Sequence, residues 1–141
     1  MKKVHYMLGI MIVLIDQLLK IFYIGKNITI IPNVLNIEYT ENIAGAFGIG
    51  KRYIVLTVSI LIILGLIVYL IKENKKIPNY FPFILILAGS IGNLIDRIFR
   101  GYVIDFIDVS ILNFPKFNIA DISIVLGIFW LIILMIMKKE K

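Results

Sequence analysis

A mainly α-helical membrane protein with four spanning segments is the fold class predicted for this 141-residue chain, and three observations predict it. Hydrophobic residues make up 60% of the sequence and the mean hydropathy is +0.97, too apolar for a soluble domain of this length. Four apolar runs, at about 4–24, 53–71, 81–99 and 119–137, are each long enough to cross a hydrocarbon core. Most of the lysines sit at the ends of those runs. Helices are the expected form, because a backbone in lipid must satisfy its own polar groups. One integral-membrane domain spanning 1–141 is expected, with outer loops at about 25–52 and 100–118.

The first run follows Lys2 and Lys3, as a secretory leader would. Asp16, Gln17 and Lys20 interrupt it and no small-x-small cleavage site follows, so an uncleaved helix is expected. In the outer loop after it, "VLNIEYT" at 34–40 alternates apolar and polar as a half-buried strand does. "NITIIPN" before it is placed to pair with that strand as a hairpin around Pro32 and Asn33. A small sheet on the outer membrane surface follows. The second outer loop holds Gly101 and Pro115 and is read as a loop with a short amphipathic piece.

Positive charge sets the orientation. One side carries Lys2, Lys3, Lys72, Lys75, Lys76, Lys138, Lys139 and Lys141 in three short segments. The other carries Lys26, Lys51, Arg52, Arg97, Arg100 and Lys116 in two longer loops. The denser side is expected to be cytoplasmic, with both termini inside. The net charge of +6 does not read as nucleic-acid binding, since no basic stripe is interleaved with aromatics. The absence of cysteine excludes disulfides, thiol nucleophiles and a lipidated cysteine on this chain.

On this topology Glu73 and Glu140 are cytoplasmic, whereas Asp16, Glu38, Glu41, Asp96, Asp105, Asp108 and Asp121 lie in the outer half or outside it. A charged aspartate in hydrocarbon costs about 2.5–3.5 kcal/mol, so each one within a span should face a partner or a wet cavity. Asp16 has Lys20 one turn on, an ion pair that sets helix depth with the lysine reaching outward to the interface. Asp96 and Arg97 read either as charges ending a helix at the headgroups or as part of an inward face with Asn93. Gly89 continues that face, and Ala88 with Gly92 makes a small-xxx-small contact surface. In "FNIAD", Asn118 reads as an N-cap with Asp121 in the first turn, where an acid suits the helix dipole, or as a chemical pair; both readings stay open. Asp105 is either the wet side of an amphipathic piece or a chemical group. Asp108 is read as solvated and replaceable.

The only histidine, His5, lies at the cytoplasmic end, which disfavours His-assisted nucleophiles and histidine-rich metal sites. A Ser-Lys pair of Lys20 with Ser90, Ser110 or Ser123 has no motif behind it. Two carboxylates brought together from different segments can instead share one proton. One then serves as base toward water and the other as acid, because like charges a few ångströms apart do not both ionise cheaply.

Five motifs in order, "DQLLK" (16–20), "NIAGAFG" (42–48), "AGSIGNLIDR" (88–97), "YVIDFID" (102–108) and "FNIAD" (117–121), resemble those of bacterial lipoprotein signal peptidase, also called signal peptidase II. The resemblance covers essentially the whole chain. It implies an aspartic endopeptidase that cleaves the signal peptide from a diacylglyceryl-modified prolipoprotein just before the lipidated cysteine. It further implies that Asp105 and Asp121 are the catalytic dyad, that Asn42, Asn93, Arg97 and Asn118 position substrate or orient the dyad, and that Asp16, Lys20 and Asp96 support them. The implied fold is four transmembrane helices with an extracytoplasmic β-cradle and a mobile loop over the site. The implied location is the bacterial cytoplasmic membrane, with the site at the outer face. Partners are lipidated prolipoproteins and membrane lipids; no cofactor or metal is expected, and the chain is expected to be monomeric. The second motif has Ala44 where the family usually has glycine, and Ala88-Gly89-Ser90 stands in place of Gly-Gly-Ala. Two other functions fit a small membrane protein with intramembrane acids: a proton- or cation-coupled transporter, and a non-enzymatic scaffold whose charges set helix depth.

Overall fold

The computed structural model describes residues 2–43, 52–72 and 79–139; Ala44 and the rest of the second motif beyond Ile43 lie outside them. Helices α1 (Lys2–Phe22), α2 (Arg52–Lys72), α3 (Phe81–Phe99) and α4 (Ile119–Lys139) each contain a segment long and apolar enough to cross a membrane. Strands β1 (Asn27–Ile31), β2 (Leu35–Asn42) and β3 (Val103–Asp108) form one antiparallel sheet in that order.

The helices are inside out relative to a soluble bundle. On α1, Leu18 is 65% exposed while Asp16 and Lys20 are fully buried. That distribution suits lipid, which solvates leucine and not charge. Helix α3 packs against the other three helices. Its small residues allow the approach: a Cβ added to Gly92 would lie 2.8 Å from Asp16 Oδ2 and 3.3 Å from the Ala120 Cβ. Gly89 faces the Ala120 carbonyl on α4. The small surface expected from sequence is therefore the seam joining α3 to α1 and α4.

Local chemistry ends the helices where the site begins. After α1, Gly25 takes a positive φ of 68°, turning the chain into β1. The β1–β2 hairpin turns through Pro32 and Asn33, with Val34 N donating to Ile31 O at 3.0 Å and Asn33 at φ 61°. Proline then positive-φ asparagine is the pattern of a type II turn, and the hairpin stands around Pro32 and Asn33 as the sequence suggested. Helix α3 starts with Asn79 Oδ1 accepting from Phe81 N at 2.9 Å. It stops at Gly101, φ 84°, whose N–H and that of Arg100 both donate to Asp96 O.

The expected loop at 100–118 instead contains β3, followed by a 3-10 turn at Ser110–Leu112. Val103, Ile104, Asp105 and Phe106 are all buried, so β3 lacks the alternation of a strand with one wet face. Ile104 and Phe106 pack with Ile37, and Tyr23 stacks on Phe106 with ring centroids 5.0 Å apart. Beyond the turn, Phe117 pairs with Ile107 through two backbone bonds of 2.9 and 3.1 Å, delivering Asn118 beside β3.

Candidate active site

Strand period separates two aspartates that look alike in "VIDFID". Asp105 and Asp108 are three residues apart on β3, so they point to opposite faces. The β2–β3 register shifts by one residue between Ile37 and Thr40, an irregularity of the kind that re-aims side chains. Beyond the shift Thr40 lies opposite Asp105, and Asn42, two residues further, shares Asp105's face. Its amide donates to Asp105 Oδ2 at 3.0 Å. Asp108 meets Asn36 Nδ2 at 3.1 Å and Ser110 Oγ at 2.6 Å. It is bonded into the sheet end rather than merely solvated, and those hydrogen bonds, Ser110's first, hold its carboxyl below the ordinary range.

Asp105 is only 3% exposed, which excludes the wet-side reading. Its Oδ1 accepts from Asn118 Nδ2 at 2.7 Å. Asn118 is itself the N-cap of α4: its Oδ1 accepts from Asp121 N at 2.9 Å, and its backbone N donates to Asp121 Oδ2 at 3.2 Å. This reciprocal pattern is a capping box. The capping reading of Asp121 is thus the one its local contacts bear out, and its Oδ1 also accepts from Asn93 Nδ2 at 2.7 Å. Burial, and then the charge of Asp121, push the Asp105 carboxyl up to about 6.

Behind the pair lies a closed ionic cluster. Lys20 Nζ donates to Asp16 Oδ2 at 2.8 Å, Asp96 Oδ2 at 2.9 Å and Asn93 Oδ1 at 3.0 Å. The expectation that Lys20 reaches outward to the interface is therefore corrected. Three acceptors meet its three ammonium hydrogens inside the bundle, so no donor is left to seek water. Asp16 Oδ1 also accepts from Ala120 N at 2.9 Å, tying α1 to the first turn of α4. Asp96 accepts from Lys20 and Ile104 N on Oδ2, and from Gln17 Nε2 and Arg100 Nη1 on Oδ1. Four donors use up a carboxylate's acceptor sites, which makes Asp96 a structural junction.

Arg97 is not drawn into hydrogen bonds with the pair. Its Nη1 donates to its own helix at Asn93 O, 3.3 Å, while its charge lies within Coulombic reach of Asp121, Asp105 and Asp96. Gln17 and Arg100 belong to the cluster without having been singled out from sequence. Gln17 donates to Gly92 O at 3.0 Å and accepts from Arg100 at 3.0 Å. The i, i+4 spacing of Asp96 and Arg100 was the available signal. No Ser-Lys pair forms with Ser110 or Ser123: Ser110 donates to Asp108, and Ser123 Oγ donates to Leu85 O at 2.8 Å. His5 packs on Phe81, ring centroids 5.9 Å apart, at the opposite end of α3 from this site.

Asp105 and Asp121 differ from Asp96 in one respect that matters for chemistry. Among the described residues each accepts only two hydrogen bonds, one per oxygen, which leaves room for a shared proton or a water.

Known proteins share this architecture. Two bacterial membrane enzymes solved by the in meso method, at 2.3 and 1.9 Å resolution, superpose with TM-scores of 0.85 and 0.83 at 30% and 33% identity. They cover 97% and 94% of this chain and 90% and 92% of their own. The lipoprotein signal peptidase of Halothermothrix orenii is 36% identical over 96% of this chain and 97% of its own length. Those of Caldicellulosiruptor bescii and Staphylococcus haemolyticus are 39% and 38% identical, covering 86% and 94% of this chain and 83% and 94% of theirs. The family described as Signal peptidase (SPase) II matches residues 8–137, nearly the whole of the four-helix, three-strand unit, and the chain is therefore a multi-pass bacterial membrane protein that belongs to the signal peptidase II family.

Proposed function

We propose that the protein is an aspartic endopeptidase that cleaves the signal peptide from diacylglyceryl-modified prolipoproteins, just N-terminal to the lipidated cysteine. Asp105 and Asp121 are its catalytic dyad. The observation that carries this reading is Asn118, which bonds to both carboxyls while each keeps open acceptor sites. Family membership supports the substrate class, as do relatives that are lipoprotein signal peptidases.

Charge balance supports one proton on the pair. Asp16, Asp96, Lys20 and Arg100 cancel, leaving Arg97 opposite Asp105 and Asp121. A single shared proton makes the site neutral, and the more deeply buried Asp105 is the better place for it.

In the first step Asp121 takes a proton from water, the oxygen attacks the scissile carbonyl carbon, and Asp105 gives its proton to the carbonyl oxygen. A neutral tetrahedral diol results. In the second, Asp121 returns its proton to the amide nitrogen, the C–N bond breaks, and Asp105 recovers a proton from a diol hydroxyl. Acid and amine leave, and the dyad regains its starting state. Asn42 and Asn93 hold the two carboxyls in place. The substrate's acyl chains lie among the exposed apolar helix surfaces at the extracytoplasmic face, which limits the scissile bond to one depth and lowers the entropy cost of attack.

A transporter built on intramembrane acids needs helices broken near the midplane, and all four spans here are continuous. The test is cleavage of a purified prolipoprotein, with and without its lipid, by the protein in detergent. Asp105→Asn and Asp121→Asn should each abolish cleavage of the lipidated form while the protein stays folded. Full activity in either variant, or equal cleavage of the unlipidated precursor, sinks the assignment.

A further inference from the structure

Lys20 has no exposed atom and cannot touch a peptide, yet it lies one side chain away from Asp121. The link is Asn93, whose amide has two chemically different ends. Its oxygen accepts from Lys20 Nζ at 3.0 Å and from Asn118 Nδ2 at 3.2 Å; its nitrogen donates to Asp121 Oδ1 at 2.7 Å. An ammonium only donates, so the Asn93 oxygen must face it. Turned over, the amide would set NH2 against NH3+ and a carbonyl against a carboxylate, with both contacts repulsive.

We infer that Lys20 is a positioning residue that acts through Asn93, locking the amide so that it presents a donor to Asp121 and keeps Asp121 Oδ1 an acceptor. The inference rests on the dyad reading above and names what holds the base in its working form. Lys20 is itself immobilised by Asp16 and Asp96, so the ion pairs of α1 and α3 are converted into a fixed hydrogen bond at the reacting carboxylate. The other groups acting on Asp121 are Arg97 from α3, Asp105 from β3 and the Asn118 backbone from its own helix start, while Asp16 of α1 holds the adjacent Ala120 N.

An ion pair that merely joined α1 to α3 would affect stability and nothing else. The test uses the full chain in detergent with Asp16→Asn as background, so that removing the ammonium does not strand two buried carboxylates. In that background Lys20→Met should lower kcat by about 10²-fold with little change in KM. NMR of the 15N-labelled asparagine side chains should show the Asn93 amide protons shifted upfield once Lys20 is gone, as the hydrogen bond to Asp121 is lost. With Asn93→Ala already present, Lys20→Met should lower kcat no further. The inference is overturned if the Asn93 amide signal is the same with and without Lys20, or if Lys20→Met has the same effect in the Asn93→Ala protein. The NMR readout needs no turnover, so it fails or succeeds separately from the dyad reading, which falls only if Asp121→Asn still cleaves.

Discussion

Asn118 Nδ2 donates to Asp105 Oδ1 at 2.7 Å, joining the first turn of α4 to the middle of β3. The same side chain caps α4 through its oxygen, so one residue both starts a helix and sets the distance between two carboxyls. The two jobs can be separated by choice of substitution.

Asn118→Ser keeps an N-cap oxygen and loses the amide donor, whereas Asn118→Ala loses both. The alanine variant should be destabilised by about 1 kcal/mol relative to the serine variant. Both should lose about 10²-fold or more in kcat/KM. Thermal unfolding in detergent beside a cleavage assay reads the two effects. Equal activity of Asn118→Ser and the unaltered protein would refute the link to Asp105.

Under the proposed dyad, the Asp105 proton should make cleavage depend on pH in a stated direction. Its carboxyl is pushed up to about 6 by burial and then by Asp121, against the pull of the Asn42 and Asn118 donors. The kcat/KM profile should therefore fall as pH rises through about 6, as the proton needed on the acid is lost. Bound lipid excludes more water, so the corresponding kcat limb should lie at higher pH. Asn42→Ala removes a donor that favours the charged form and should move the kcat/KM limb upward. Because the folded state binds this proton more tightly than an ordinary carboxyl of 3.8 does, the group's contribution to stability declines as pH rises from about 4 to about 6.

Gly89 and Gly65 test the seam. A Cβ at Gly89 would strike the Ala120 carbonyl and come within 2.7 Å of Ile124 Cγ1, next to the turn that carries Asp121. Gly89→Ala should cost about 1–3 kcal/mol from overpacking and lower activity with it. Gly65 has nothing within 4 Å, and Gly65→Ala should leave both unchanged or raise stability slightly. Unfolding midpoints of the two variants make the comparison.

Asp108 should matter for the sheet end and not for turnover. Asp108→Ala removes the acceptor for Asn36 and Ser110, a loss of about 1 kcal/mol, and should lower Tm by a few degrees. Its kcat/KM should stay within about twofold of the unaltered protein, as expected of a side chain on the face away from the dyad. A loss comparable to that of Asp105→Asn would overturn the division of labour between the two residues.

The four spans and the Pro32-Asn33 hairpin were legible in the order of residues, because lipid and turn geometry constrain the chain locally. The composition of "FNIAD" announced a helix start for the same reason. Strand β3 was not legible: both of its faces are covered, so Ile104 and Phe106 beside Asp105 carried no alternation that would mark a strand. Nor was the direction of Lys20. Its spacing from Asp16 is local, whereas Asp96 and Asn93 come from another helix, and only their arrival makes an inward ammonium cheaper than an outward one. Gln17 and Arg100 joined the cluster unnoticed on the same account. Hydropathy and turn chemistry act over a few residues and can be read along a line; which carboxylate is saturated and which is left open depends on donors that meet it only when the helices and the sheet close together.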